Sequence, residues 1–101
     1  MNAKKFLAGN ALLAERARLA ILATLAASEE AMEFNALIDA LDLSKGNLSS
    51  HIRKLEEAGL VAVRKEFVER KPRTSYECTR AGRKELKDYL ARLEALLKGQ
   101  S

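Results

Sequence analysis

The segment Leu43–Leu60, with the sequence LSKGNLSSHIRKLEEAGL, predicts a short amphipathic helix. At about 100° per residue, its apolar side chains fall on one narrow stripe, which consists of Leu48, Ile52 and Leu55. Ser44 at the N-terminal end and Gly59 at the C-terminal end are residue types that commonly begin and end helices. We therefore expect a helix over residues 44–58 whose apolar stripe is buried.

The opposite side of this helix carries small polar groups and cations, and it has no carboxylate before Glu56. The residues that we expect there are Lys45, Gly46, Asn47, Ser49, Ser50, Arg53 and Lys54. Small side chains let a helix approach a groove closely, while Arg and Lys reach phosphates and guanine edges. The free N–H groups at the helix N-terminus also favour a phosphate. This face predicts a helix that enters the major groove of duplex DNA, with Ser49, Ser50 and Arg53 nearest the bases. The plainer alternative is an ordinary solvated helix face.

Two further helices are predicted before this segment. The first is expected over 10–27, with Asn10 as its N-cap, and its second half, Leu19–Ala27, is apolar on nearly all sides. Such a helix is either central to the domain or packed in part against a second subunit. The second is expected over 33–41, and its short connection to the helix over 44–58 makes a helix-turn-helix.

After the third helix, the hydrophobic period changes from about 3.6 residues to 2 residues, which predicts a β-hairpin over 60–78. We expect its turn over 69–73, around the single proline of the chain, and its second strand over 74–78. The turn is strongly basic, with Arg70, Lys71 and Arg73. These cations predict a wing that lies along a DNA backbone or enters the minor groove, whereas the alternative is a solvated basic turn.

The last predicted helix, over 79–98, carries a long apolar stripe behind its N-cap Thr79. The stripe repeats at three- and four-residue steps, close to a coiled-coil seam, and comprises Leu86, Tyr89, Leu90, Leu93, Leu96 and Leu97. It is longer than one small domain needs to cover. We therefore expect a homodimer interface here, assisted by Leu12 of the first helix; closing the monomer core is the alternative. A homodimer suits two-fold-related DNA sites.

The composition fits one domain with helices in the majority. The chain has 101 residues, of which 48% are hydrophobic and 32% charged, and its net charge is +4. That charge is uneven, because residues 1–43 carry 4 Lys and Arg against 6 Asp and Glu, while residues 44–80 carry 9 against 5. The positive charge thus accompanies the predicted third helix and wing, which favours a polyanionic partner.

Several classes of site find no support in the sequence. The only cysteine, Cys78, cannot form an internal disulfide, and one histidine, His51, is too few for a metal site. A redox or pH-sensing role is conceivable for each, but we expect both to be packing residues. We find no catalytic constellation and no cofactor motif. Since no catalytic constellation is found, we expect a protein that is not an enzyme. The apolar run 19–27 is too short to span a bilayer, and a single cysteine suits a reducing compartment, so we expect a cytoplasmic protein.

Two longer motifs, LSKGNLSSHIRKLEEAGLV and KPRTSYECTRAGR, resemble those of small winged helix-turn-helix transcriptional regulators, broadly of the MarR and ArsR type. The resemblance covers residues 12–97, and Cys78 and Ile52 are mild departures at positions where the family usually has leucine. It implies a mainly α fold with a small β-hairpin wing, in one domain over 1–101, whose long terminal helix serves dimerisation. It also implies a homodimer that binds double-stranded DNA. The alternative is a winged-helix module whose third helix binds a protein. The operator, the regulated genes, the sign of regulation and any small-molecule effector do not follow from the sequence.

Overall fold

The computed structural model describes residues 3–4 and 11–99, in which helices surround a small three-stranded sheet. After a 3-10 turn, Ala11–Ala14, the elements are α1 (Arg16–Ala27), β1 (Met32–Glu33), α2 (Phe34–Leu41), α3 (Lys45–Glu57), β2 (Val61–Val68), β3 (Lys71–Cys78) and α4 (Arg80–Leu97). The strands are antiparallel in the order β1-β3-β2. The prediction of a mainly helical winged helix-turn-helix is confirmed.

One hydrophobic core joins the first three helices to the start of β2. Its buried side chains are Leu13, Ile21, Leu22, Leu25, Leu37, Leu48, Ile52, Leu55, Leu60 and Val61. The three members from α3 are the stripe that the sequence predicts. Because these side chains are out of water, α3 is held by its inner face while its outer face remains free.

Both ends of α3 are set by local hydrogen bonds. The Ser44 hydroxyl accepts the Asn47 N–H at 3.1 Å. At the other end, Gly59 has a φ of 78°. The Gly59 N–H donates to the Glu56 carbonyl and the Leu60 N–H donates to the Leu55 carbonyl, each at 2.9 Å. This pair of bonds is a Schellman motif, which explains why the helix ends where glycine allows a left-handed residue.

The predicted first helix, over 10–27, is divided in the structure. Glu15 has an extended backbone, and its carboxylate accepts the Arg18 N–H at 3.0 Å, so it is the N-cap of α1. The Arg18 Nε also donates to the Leu12 carbonyl at 2.7 Å, which holds the 3-10 turn against α1. The predicted N-cap, Asn10, lies outside the described residues. The extended backbone and side-chain cap of Glu15 interrupt the predicted helix. The spacing of apolar residues does not reveal such a cap.

The predicted hairpin turn over 69–73 is wrong in length, because the structure turns in two residues and β3 begins at Lys71. Pro72 therefore lies within β3, opposite Phe67. Val68 and Lys71 close the turn as the hydrogen-bonded pair, so the next pair, Phe67 and Pro72, is a non-hydrogen-bonded one. The N–H that proline lacks would point away from β2, and the strand loses no ladder bond to β2.

The sheet also has a third strand that the sequence analysis did not anticipate. Met32 pairs with Tyr76 and Glu33 pairs with Ser75, across the outer side of β3. Two residues are too few to show a period of 2, so no pattern in the sequence could reveal β1. This strand connects the wing to the first residue of α2.

Gly82 is buried where the start of α4 lies against the turn that follows α3. The Thr79 hydroxyl accepts the Gly82 N–H at 2.9 Å and donates to the Gly59 carbonyl at 2.7 Å. A Cβ at Gly82 would overlap the carbonyl oxygen of Leu60 and would lie 2.9 Å from the Cys78 Sγ. The backbone of the turn that follows α3, at Gly59 and Leu60, is therefore in direct contact with the start of α4.

We expect Gly82→Ala to lower the free energy of unfolding by about 1–3 kcal/mol, because the added methyl group must displace backbone. Urea denaturation monitored by circular dichroism measures this change. Gly46→Ala is the matched control, since a Cβ at Gly46 meets nothing within 4 Å. That exposed helical substitution should instead stabilise the protein, by up to about 1 kcal/mol. Equal effects of the two substitutions would contradict the close contact at Gly82.

Candidate nucleic-acid interface

The outer face of α3 is open to solvent along its whole length. Every residue predicted on it is exposed, namely Lys45, Gly46, Asn47, Ser49, Ser50, Arg53 and Lys54. Within the described part of the chain, its three cations take part in no ion pair. A helix face with unpaired positive charge and small hydroxylated side chains is suited to close contact with a polyanion.

A shallow groove separates this face from the wing. On the α3 side it is lined by Ser49, Arg53 and Glu56, and on the wing side by Val63, Lys65, Thr74 and Tyr76. Burial, together with the nearby Glu56 carboxylate, raises the pKa of the Tyr76 phenol, so this group stays a protonated donor. The Glu56 carboxylate opposes an anion here, but the two cations and several hydroxyl groups around the groove outnumber it and suit a phosphate of a DNA backbone.

Lys65 and Thr74 are site residues that the sequence analysis missed. They are partners across β2 and β3, two residues from the Val63–Tyr76 pair. Since side chains alternate between the two faces of a strand, Tyr76 and Thr74 point to the same side, and so does Lys65. The sequence does show that Tyr76 and Cys78 share one face of their strand. Lys65 lies on the other strand, so its face can be assigned only when the register of the hairpin is known.

The other face of the wing is polar and internally paired. Arg73 Nε lies 3.1 Å from Glu33 Oε1, and Arg64 Nη2 lies 3.0 Å from Glu77 Oε1. Arg73 was grouped with the basic tip in the sequence analysis, whereas the structure sets it on the side away from the α3 groove. This half-exposed pair joins β3 to Glu33, the residue before α2.

The tip of the wing is conformationally strained. Glu69 and Arg70 have φ values of 53° and 68°, in the left-handed region that Asn and Gly usually occupy in two-residue hairpins. Side chains there cost about 1–2 kcal/mol each, and such strain is commonly retained at functional sites. Arg70 and Lys71 are exposed and form no ion pair among the described residues. The tip therefore presents two unpaired cations, next to the exposed carboxylate of Glu69.

His51 lies at the edge of α3, half-buried against the start of α1. Its Nε2 is 3.5 Å from Glu15 Oε2, and its Nδ1 is 3.4 Å from Arg18 Nη1, the donor. Backbone hydrogen bonds, first from Ala17 and then from Arg18, lower the pKa of the Glu15 carboxyl, and the charges of His51 and Arg18 act in the same direction. This contact is that of a packing histidine, which holds α3 against α1.

Cys78 is half-buried under the start of α4, and burial raises the pKa of its thiol. A raised pKa keeps the group a thiol, which is the less reactive form. Among the described residues, no group of His, Cys, Asp and Glu side chains is arranged to hold a metal ion.

The apolar stripe of α4 divides into two parts. Leu86 and Tyr89 pack against the core, as does Leu12 from the 3-10 turn, and Leu96 is half-buried. The remaining leucines are exposed, with fractions of 48% for Leu90, 41% for Leu93 and 88% for Leu97. We call these three the exposed leucine stripe. The molecule measures 55 × 25 × 21 Å, so this small domain is elongated.

The architecture and the exposed α3 face define a winged helix protein, and comparison with known families agrees. The chain belongs to the winged helix DNA-binding domain family, whose model matches residues 17–97. The expectation that the protein is not an enzyme is confirmed by this membership. Within the described residues, no helix is both long enough and apolar enough to cross a membrane.

Individual relatives extend this assignment. The chain is 38% identical over 81 residues to the uncharacterised protein MJ0432 of Methanocaldococcus jannaschii, covering 80% of this chain and 87% of that one. It is 37% identical to a transcriptional regulator homologue from Pyrococcus horikoshii, with a TM-score of 0.86 and coverage of 97% and 95%. Bacillus subtilis PadR, solved with operator DNA, shares the fold at 18% identity, with a TM-score of 0.65 and coverage of 75% and 48%.

Proposed function

We propose that the protein is a cytoplasmic transcriptional regulator that binds specific double-stranded DNA sites as a homodimer. The observation that carries this proposal is the exposed outer face of α3, which has unpaired cations and small side chains and adjoins a basic wing. Family membership supports the DNA-binding class. Duplex DNA is inferred as the partner because its phosphates can bind the cations and its major groove is wide enough for one helix.

In this proposal α3 lies in the major groove with its N-terminal half nearest the bases. Ser49, Ser50 and Arg53 read base edges, because short hydroxyls and a bidentate guanidinium are suited to them. Lys45, Asn47 and Lys54 contact phosphates at the rims. These contacts position the helix, and they carry no sequence information of their own.

The wing grips the DNA beside α3. A phosphate fits the groove between Arg53 and Lys65, where the hydroxyls of Ser49 and Thr74 also line the wall. Arg70 and Lys71 at the tip extend the contact to the flanking backbone or minor groove. We expect Arg73 to have a smaller role than its charge indicates, since it lies on the far face of the wing and is paired with Glu33.

Dimerisation is proposed through the exposed leucine stripe. Three large apolar side chains in line are a contiguous patch that a second copy of the same helix can bury. Two copies of α3 would then meet half-sites about 34–36 Å apart, one helical turn of DNA.

Selection of bound sequences from random duplex DNA, followed by salt titration, tests the proposal. Each phosphate that is neutralised steepens the log–log salt dependence by about 0.9, so a protein with 6–10 phosphate contacts loses about 10³–10⁵-fold affinity between 50 and 200 mM salt. We expect an enriched two-fold sequence and a steep slope. Failure to enrich any sequence, with binding that salt does not weaken, would favour the alternative that α3 binds a protein.

A further inference from the structure

Phe67 is the most exposed aromatic side chain among the described residues, with 78% of its surface in water. We propose that Phe67, with Pro72 opposite it, is an apolar wedge that enters the minor groove flanking the site read by α3. This proposal rests on the proposed DNA-binding function and adds to it a residue that senses the shape of the flanking DNA. In the monomer Phe67 buries little surface, so it contributes little to folding.

The register of the hairpin places the wedge. Phe67 and Pro72 form a non-hydrogen-bonded pair, in which opposite side chains lie about 4.5–5.5 Å apart on the same face. Two residues back on that face are Lys65 and Thr74, which line the groove beside Arg53. With about 3.3 Å per residue, Phe67 lies about 7 Å beyond Lys65 towards the tip. The wedge is thus continuous with the α3 face but reaches beyond it, towards the neighbouring DNA.

The charges around the wedge favour DNA as its partner. Lys65 lies on the same face as Phe67 and Arg70 lies in the turn next to it, and neither forms an ion pair within the described residues. On the other wing face, Arg64 and Arg73 pair with Glu77 and Glu33, while Lys71 forms no ion pair within the described residues. An apolar centre with a cationic rim matches the minor groove, whose walls are formed by sugars and whose edges carry phosphates.

The dimensions and chemistry of the minor groove agree with this match. The groove is about 6 Å wide and 7.5 Å deep, enough for an aromatic ring entering on edge. Phe and Pro are among the residues that proteins insert between base steps from this side, partly unstacking them and bending the duplex. Pro72 also stiffens the tip, so less conformational entropy is lost when the pair is held in the groove.

The test compares Phe67→Ala and Phe67→Thr with wild type on a duplex obtained by selection. Thr keeps a strand-favouring side chain, which separates loss of the ring from loss of local strand structure. The matched control is Val68→Ala, an apolar truncation of the next residue, whose side chain points to the opposite face. We expect both Phe67 variants to bind roughly 10- to 100-fold more weakly, with the salt slope unchanged, and Val68→Ala to bind like wild type.

A second readout places the contact in the minor groove. Duplexes with G·C or inosine·C pairs in the flanks differ in the guanine N2 amino group on the minor-groove floor, while their major-groove edges are alike. We expect wild type to bind the inosine duplex several-fold more tightly, because the obstructing amino group is gone. The Phe67 variants should bind both duplexes equally. An inosine preference that survives in Phe67→Ala would overturn the proposal.

Failure of the wedge can be told apart from failure of the proposed function. If Phe67→Ala binds like wild type while Arg53→Ala loses binding, the wedge is refuted and DNA binding stands. If neither substitution weakens binding, the wedge and the role of Arg53 are both refuted, although the protein still binds DNA. If selection enriches no duplex, the proposed function itself fails. If Phe67→Ala leaves DNA affinity unchanged but alters the molar mass measured by light scattering, Phe67 contacts another copy of the chain and the minor-groove assignment is wrong.

Discussion

Arg53→Ala is expected to weaken binding to a selected duplex by about 2–6 kcal/mol, because a bidentate contact to a base is worth about 1–3 kcal/mol and a dimer makes it twice. Folding should hardly change. Arg53 is exposed and has no ion-pair partner within the described residues, so the monomer loses no internal contact. Fluorescence anisotropy gives the affinity, and thermal unfolding followed by circular dichroism gives the stability.

Arg73→Ala is the matched control for Arg53→Ala. It removes the same side chain from the same basic region, but from an arginine that Glu33 neutralises on the far face of the wing. We expect a much smaller loss of affinity, and adding Arg73→Ala to Arg53→Ala should weaken binding little further. Arg53→Lys should keep the salt slope but lose discrimination between sequences, since an ammonium cannot make the bidentate contact. Wild-type affinity in Arg53→Ala would remove this residue from the interface.

Leu90→Glu combined with Leu93→Glu is expected to give monomers at all practical concentrations. In the proposed dimer these side chains are buried, and a carboxylate in their place would lose its hydration without gaining a partner. Both are more than 40% exposed in the monomer, so the fold should persist. Light scattering measures the mass, and duplex affinity should fall as well, because a monomer reads only one half-site.

The control for this pair is Ala91→Glu, an exposed position on the opposite side of α4. It adds the same charge to the same helix without touching the exposed leucine stripe, so the dimer should remain. Dimers that survive Leu90→Glu with Leu93→Glu would exclude these positions from the interface. The apolar face of α1 would then be the next surface to test.

The sequence by itself determined α3 and its outer face. Ser44 and Gly59 begin and end the helix through bonds that span at most five residues, and Leu48, Ile52 and Leu55 bury one side by their spacing alone. Once that side is buried, the geometry of a helix requires the other side to be exposed. The prediction of seven exposed residues on α3 therefore needed no knowledge of the rest of the fold.

The tertiary structure decided the wing. A shift of one residue in a strand moves every side chain to the other face, so only the actual pairing shows which cations face α3. That pairing depends on a turn of two residues instead of five and on β1, whose Glu33 meets Arg73 from forty positions away in the chain. Lys65 and Thr74 thereby join the α3 groove and Arg73 leaves it. The physical reason is range: helix periodicity and capping act between near neighbours, whereas strand register is set by contacts between distant segments.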